Sequence, residues 1–233
     1  QIVLRAAGGT DTFLIGSAVA NRRSRKSEGM LGMFVNMIPI RADVSGNPSY
    51  RELLDRTTAT LSASYEHEEL PFEWLVRAVR PERTTGHNPL FQTAFSAHNS
   101  DLPNLRRSGF ELSMFEAYSN RTSKFDFDVV MLPRGQAHAD SVTLLWNFAT
   151  DLFETATIER LRDAYLRVLA QCLADPDRRL QTIETMAPDD RARLLEGGYR
   201  EAPFDTAYCL HHAFEAHADR APDAHALATR DAT

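Results

Sequence analysis

The chain has 233 residues, 43% hydrophobic and 25% charged, with 26 Lys+Arg against 32 Asp+Glu for a formal charge of −6. That length builds one or two domains with a sizeable core, and the acidic balance argues against general nucleic-acid binding. No apolar run approaches the ~20 residues of a membrane span, and there is no secretory-signal pattern. The two cysteines, Cys172 and Cys209, make neither a metal-ligand spacing nor a disulfide framework. A reducing, cytoplasmic setting is therefore expected, with Cys172 an inert thiol on the apolar side of a helix.

Residues 1–7 form an apolar stub, QIVLRAA, followed by Gly8-Gly9 and a strand-like run over 12–20. Arg22, Arg23, Arg25 and Lys26 make a basic run ending in Glu28-Gly29. In an acidic chain so short a run reads as a solvated loop, with a polyanion site as the sharper alternative. Residues 30–41 are almost uncharged and predict a strand buried on both faces. Asn36 in its middle needs partners, either as a structural amide or as a donor facing a channel. Asn47-Pro48 opens a long helix, with Asn as cap and Pro as first residue. Its Tyr50, Leu53, Leu54, Thr57, Leu61 and Tyr65 repeat at threes and fours, the stripe of a helix lying on a sheet.

Leu70-Pro71 starts a shorter helix that places Phe72, Leu75, Val76 and Val79 on one face and stops at Pro81. Residues 83–89 form a loop of turn formers, and 90–97 are strand-like. Residues 99–120 read as a long irregular connection, of a kind that is often functional. Residues 124–132, KFDFDVVML, set Phe125, Phe127, Val129 and Met131 against Asp126 and Asp128, a half-buried strand. The aspartate pair has no third ligand nearby, which favours a structural role over a metal or acid–base one. A second strand over 141–149 aligns Val142, Leu144, Trp146 and Phe148 and pairs with the first as a hairpin turned at 133–135. A helix with Ile158, Leu161, Tyr165, Val168, Leu169 and Cys172 on one face ends at Asp175-Pro176. Residues 188–196 are a short helix closed by Gly197-Gly198.

Three stretches carry a family resemblance. LGMFVNMIPIR (31–41) is similar to Gly-x-Phe-Val-Asn-Thr-x-x-x-Arg, with Met37 in place of the threonine. HEELPFE (67–73) resembles His-Gln-Asp-x-Pro-Phe-Glu, and RTTGHNPL (83–90) resembles Arg-x-x-x-x-Asn-Pro-Leu. In that order these are motifs of the condensation domains of nonribosomal peptide synthetases. AGGTDTFLIGSAVANR (7–22) and Asp151-Leu152-Phe153 are similar to further family landmarks. The resemblance implies an α/β fold over 1–187, a mixed sheet with helices on one face, as the C-terminal lobe of a chloramphenicol-acetyltransferase-like pair. It implies channel or motif positions at Asn36, Arg41, His67, Arg83 and Asn88, with His67 at a helix end rather than in acid–base work. Within the family the 22–29 neighbourhood contributes to a channel floor, and 99–120 corresponds to a latch onto the other lobe.

Residues 188–201 read as an interdomain linker, and 202–233 resemble the start of an adenylation domain, with its Leu-His-x-x-Phe-Glu helix. His211-His212 differs from the family's catalytic His-His-x-x-x-Asp-Gly in lacking the Asp and Gly, and it follows the lobe instead of preceding it. Its spacing with His217 makes no metal site either, and an ordinary helix surface is expected. By resemblance, the parent protein joins a carrier-bound acyl or peptidyl thioester to a carrier-bound aminoacyl amine. The catalytic histidine would come from the other lobe, leaving no catalytic residue here and an isolated fragment inactive. No cofactor is expected to bind directly. The substrates arrive on phosphopantetheine arms, and ATP with Mg²⁺ belongs to the adenylation domain. Expected partners are the upstream and downstream carrier domains, the N-terminal condensation lobe and the adenylation domain. The alternatives are a non-catalytic carrier-docking lobe, or a stand-alone acyltransferase of the same fold, against which the adenylation-like tail argues.

Overall fold

The computed structural model describes residues 1–22, 24–82, 86–97, 105–107, 110–112, 122–133, 142–198 and 209–224. The chain divides into two compact units, Gln1–Met186 and Ala187–Thr233. The first contains α1 (Ile2–Gly8), β1 (Thr12–Val19), α2 (Arg25–Glu28), β2 (Asn36–Asp43), α3 (Tyr50–Glu66) and α4 (Phe72–Val79). It continues with β3 (Thr93–Ala97), β4 (Leu105–Arg107), β5 (Phe110–Leu112), β6 (Phe127–Pro133), β7 (Val142–Phe148) and α5 (Thr155–Ala174). The second unit contributes α6 (Pro188–Gly198) and α7 (Leu210–Arg220).

The main sheet has the order β2-β1-β3-β6-β7. Its two outer pairs are antiparallel, and β3 runs parallel to both β1 and β6. Ile15 pairs with Ile40 and Ser17 with Ile38, so alternate residues of β1 and β2 share one face. On that face Val19, Ile38 and Ile40 form a buried cluster against Leu61 of α3. A second cluster joins Val44, Leu53, Val168, Cys172, Leu180 and Ile183, tying α3 and α5 together through a single 3₁₀ turn at Leu180–Thr182. Cys172 is fully buried, and that burial pushes its thiol pKa up, away from the nucleophilic thiolate.

The predicted stripes lie on this sheet face over 50–61 of α3 and 158–172 of α5, but Tyr65, the last residue expected in the α3 stripe, is exposed, and several other local expectations change. Residues 30–35 precede β2 and are not strand; Leu31 and Met33 are 102% and 87% exposed. Arg22 explains this, because its guanidinium donates to the carbonyls of Ser27, Met30 and Gly32 and stacks over Phe34, 4.1 Å from the ring centroid. The segment winds around one cation, and its remaining apolar side chains turn outward. Val79, expected on the buried face of α4, is also exposed at the last helical position, after which Arg80 ends the helix in a left-handed conformation (φ 50°). Phe125 lies in the bend before β6 and so leaves the alternation that Phe127 and Val129 follow. A short ribbon, β4 with β5, interrupts the connection expected to be irregular. Gly197 and Gly198 fall inside α6 rather than capping it. The 133–135 turn lies outside the described residues beyond Pro133.

Asn47 does not cap α3. It takes a left-handed φ of 49°, and its side-chain oxygen accepts from the Gln181 amide at 2.9 Å. Ser49 is the cap instead: its hydroxyl accepts from Glu52 N–H at 3.2 Å, and the Glu52 carboxylate accepts from Ser49 N–H at 2.8 Å. Ser49→Ala should therefore cost about 1 kcal/mol in urea unfolding; an unchanged midpoint would refute the cap. The Ser49 N–H, with the Arg179 cation adding to it, holds the Glu52 carboxyl below its ordinary pKa. A depressed folded pKa contributes stability above the unfolded value of about 4.3, lost as pH falls through the folded one. Glu52→Gln should flatten that part of the melting-temperature profile.

Candidate functional site

Asn36 opens β2 at the point where the chain between α3 and α4 passes beside it. Its side-chain NH₂ donates to the carbonyls of Glu68 and Leu70, each at 2.8 Å, and its oxygen accepts from Phe72 N–H at 3.2 Å. Both amide protons are thus committed to the backbone of the HEELPFE turn. Leu70 N–H donates to His67 O, closing that turn, and His67 itself is the exposed C-cap that follows the last residue of α3.

From this turn Phe72 reaches Phe91, ring centroids 5.6 Å apart and edge-on, and Phe125 meets the same ring from another side at 5.6 Å. Phe91 is 1% exposed. It rests on Gly16 of β1, where the missing side chain leaves room for the ring. Since Ile15 and Ser17 face the long helices, Gly16 and Phe91 belong to the opposite face of the sheet. Asn88 sets the approach of that ring: its side-chain oxygen accepts from Leu90 N–H at 3.1 Å and Phe91 N–H at 3.3 Å. This is the Asx geometry that fixes a turn without a strand partner. Beside it His87 Nδ1 lies 3.6 Å from the Asp126 carboxylate, a polar pair at the rim of the aromatic cluster.

The three motifs noted in the sequence therefore meet at one junction, through Asn36, Phe72, Asn88 and Phe91. Arg41 does not join them. It is exposed on β2, five residues from Asn36, which is about 17 Å along a strand. Arg83 lies outside the described residues, as does most of 99–120. Phe91 and Gly16 were missed as junction residues; the signals available were an aromatic directly after Asn-Pro-Leu and a glycine inside a strand pattern. Among the described residues no group of three His, Cys, Asp or Glu is placed to hold a metal ion. His211 and His212 sit on α7, where His212 Nδ1 accepts from Cys209 N–H at 3.0 Å as part of the helix cap. The junction organises backbone and holds a sheet to a helix; among its described residues it presents no nucleophile with a base.

The condensation-domain family model matches residues 1–195. The chain is 39% identical over 234 residues to chondramide synthase of Chondromyces crocatus and 31% identical over 228 residues to a dimodular nonribosomal peptide synthase of Bacillus subtilis (strain 168). Each alignment takes in 97% of this chain, but it spans only 6% and 10% of those relatives. Among solved structures, a four-domain nonribosomal peptide synthetase bound to AMP and glycine superposes with a TM-score of 0.72 at 24% identity, over 97% of this chain and 18% of that one. The X-domain from teicoplanin biosynthesis gives a TM-score of 0.69 at 21% identity, over 78% of this chain and 41% of that one. These likenesses establish the chloramphenicol-acetyltransferase-like fold of condensation domains.

Proposed function

Because the chain belongs to the condensation-domain family of nonribosomal peptide synthetases, we propose that it is the C-terminal lobe of a condensation domain with the adjoining start of an adenylation domain. The observation that carries this is how the matches divide. Synthetases and the four-domain structure align with 97% of the chain, whereas the X-domain covers 78%. The difference, about a fifth of the chain, is the size of the unit Ala187–Thr233. On this reading the first unit belongs to the condensation domain, residues 188–201 are linker, and α7 opens the next domain.

The reaction is amide formation. The carrier-bound amine attacks the carbonyl carbon of the upstream thioester, a tetrahedral oxyanion forms and collapses, the amine loses its proton, and the donor thiol leaves. Such a step needs the two tethered substrates held close in a water-poor channel, with donors placed for the oxyanion. This lobe supplies one wall and its rigidity: the three-motif junction locks β1, β2 and α4 into one body. The histidine that assists proton transfer belongs to the other lobe. The substrates come on phosphopantetheine arms of the flanking carrier domains.

The test uses the intact synthetase module with both carriers loaded, reading the amide product by mass spectrometry. The expected result is condensation that depends on the presence of residues 1–186. Tight binding of a loaded carrier with no product would overturn the catalytic reading and leave a docking lobe.

A further inference from the structure

The chain that leaves α5 is tied to the first unit from two sides. Two N–H groups in the first turn of α3, which no carbonyl of that helix can reach, are capped from this segment. Arg51 N–H donates to the Pro176 carbonyl at 2.9 Å, and Tyr50 N–H to the Arg178 carbonyl at 3.3 Å. In the other direction Leu180 N–H donates to the Pro48 carbonyl at 3.0 Å. The ion pairs Arg51–Asp177 (2.8 Å) and Arg179–Glu52 (2.6 Å) flank these bonds, and Leu180 and Ile183 are buried in the core between α3 and α5. From α5, Gln171 clasps Glu184 at two points: its side-chain oxygen accepts from Glu184 N–H at 3.1 Å, and its NH₂ donates to the Glu184 carbonyl at 2.9 Å. Arg167, one turn earlier, donates to the Thr185 carbonyl at 3.1 Å. Residues 176–185 therefore cannot move without uncapping α3 and exposing two core side chains.

The tethering stops there. Among the described residues, nothing accepts a hydrogen bond from the N–H of Met186 or Ala187, and the Met186 side chain is exposed. α6 starts at the next position, Pro188, and Arg191 N–H donates to the Ala187 carbonyl at 3.0 Å as its ladder begins. Proline at the first helical position suits that start. It also confines Ala187 to extended backbone, so rotation about this stretch falls mainly to the torsions of Met186. Two rigid pieces thus meet across two residues. α6 has 11 residues, about 16 Å of helix. A turn of about 40° at Met186 would carry its far end by about 11 Å.

We propose that Met186–Ala187 is a hinge, with residues 176–185 as its fixed mount and α6 as its rigid arm, on which α6 and the chain beyond it turn while the first unit keeps its shape. Its place is set by Gln171 and Arg167, whose bonds to the exit segment end at Thr185.

The test reads distances by double electron–electron resonance on the full chain, in a Cys209→Ser background that removes the exposed native thiol. Spin labels at Glu159→Cys on α5 and Arg193→Cys on α6, both exposed positions, span the hinge. Labels at Glu159→Cys and Leu173→Cys, both on α5, give the width of a rigid pair. The expected result is a distance distribution at least twice as wide across the hinge as within α5. Gln171→Ala should broaden it further, because it frees Glu184 and moves the pivot back toward Ile183, while the pair within α5 keeps its width. A distribution across the hinge as narrow as the one within α5 would overturn the proposal. So would a broad one that Gln171→Ala leaves unchanged, since the mount would then not set where motion begins. Broadening of the α5 pair in the same variant would mean that the helix itself yields, and it too would remove the hinge. Amide formation enters none of these outcomes, so the hinge and the condensation reading stand or fall separately.

Discussion

Gly16→Ala should lower the unfolding free energy by about 3 kcal/mol, the upper part of the range for forcing extra carbon into a packed core. A Cβ at this position would stand 2.5 Å from Cδ2 and 2.6 Å from Cζ of Phe91, and closer still to Cε2. Phe91 cannot yield easily. Phe72 and Phe125 hold the ring from two sides, Asn88 holds its backbone, and it is 1% exposed. The measurement is urea unfolding at unchanged m-value. The mechanism makes a second, sharper demand: Phe91→Leu in the Gly16→Ala background should recover part of the loss, although Phe91→Leu alone destabilises by leaving a cavity. A double-mutant cycle should therefore show a coupling of at least about 1 kcal/mol. A cost below about 0.5 kcal/mol for Gly16→Ala, or additive double mutants, would mean that the contact of strand and ring is not what holds this side of the sheet.

Asn36→Ala is expected to cost about 2–3 kcal/mol, because it leaves two carbonyls and one N–H of the HEELPFE turn without their partner, at roughly 1 kcal/mol each. Asn36→Asp should be worse at neutral pH, since a carboxylate oxygen would replace the NH₂ that faces the Glu68 and Leu70 carbonyls. In the intact module the activity of Asn36→Ala should follow its folded fraction and return on cooling below its melting transition. A variant that is fully folded and still makes no amide would transfer Asn36 from scaffold to chemistry. That outcome is hard to reconcile with an amide whose two protons are both already donated to backbone.

Much of the architecture was legible from periodicity. The stripes Tyr50, Leu53, Leu54, Thr57, Leu61 and Ile158, Leu161, Tyr165, Val168, Leu169, Cys172 face the sheet, with Leu54 and Tyr65 the expected residues left exposed, and the hairpin β6–β7 pairs as its alternation requires. The motif stretches were visible too, as matches of residue type and order. Capping was less so: Asn47 and Ser49 are both good cap residues, and the choice between them fell to Gln181, which takes the Asn47 side chain from 134 positions away.

The order of residues along each segment already contains which of its faces is apolar and which family's motifs it carries. Both are properties of residues read along one segment. Tertiary structure alone decided what each face meets. It turned Met30, Leu31, Met33 and Val35 outward where the Met30 and Gly32 carbonyls and the Phe34 ring engage Arg22. It brought three separated motifs to Asn36 and Phe91. The reason is physical. A hydrophobic period records that a side chain leaves water, but its partner is chosen by distance and shape between elements far apart in sequence, where a glycine's missing carbon or one guanidinium is enough to settle the packing.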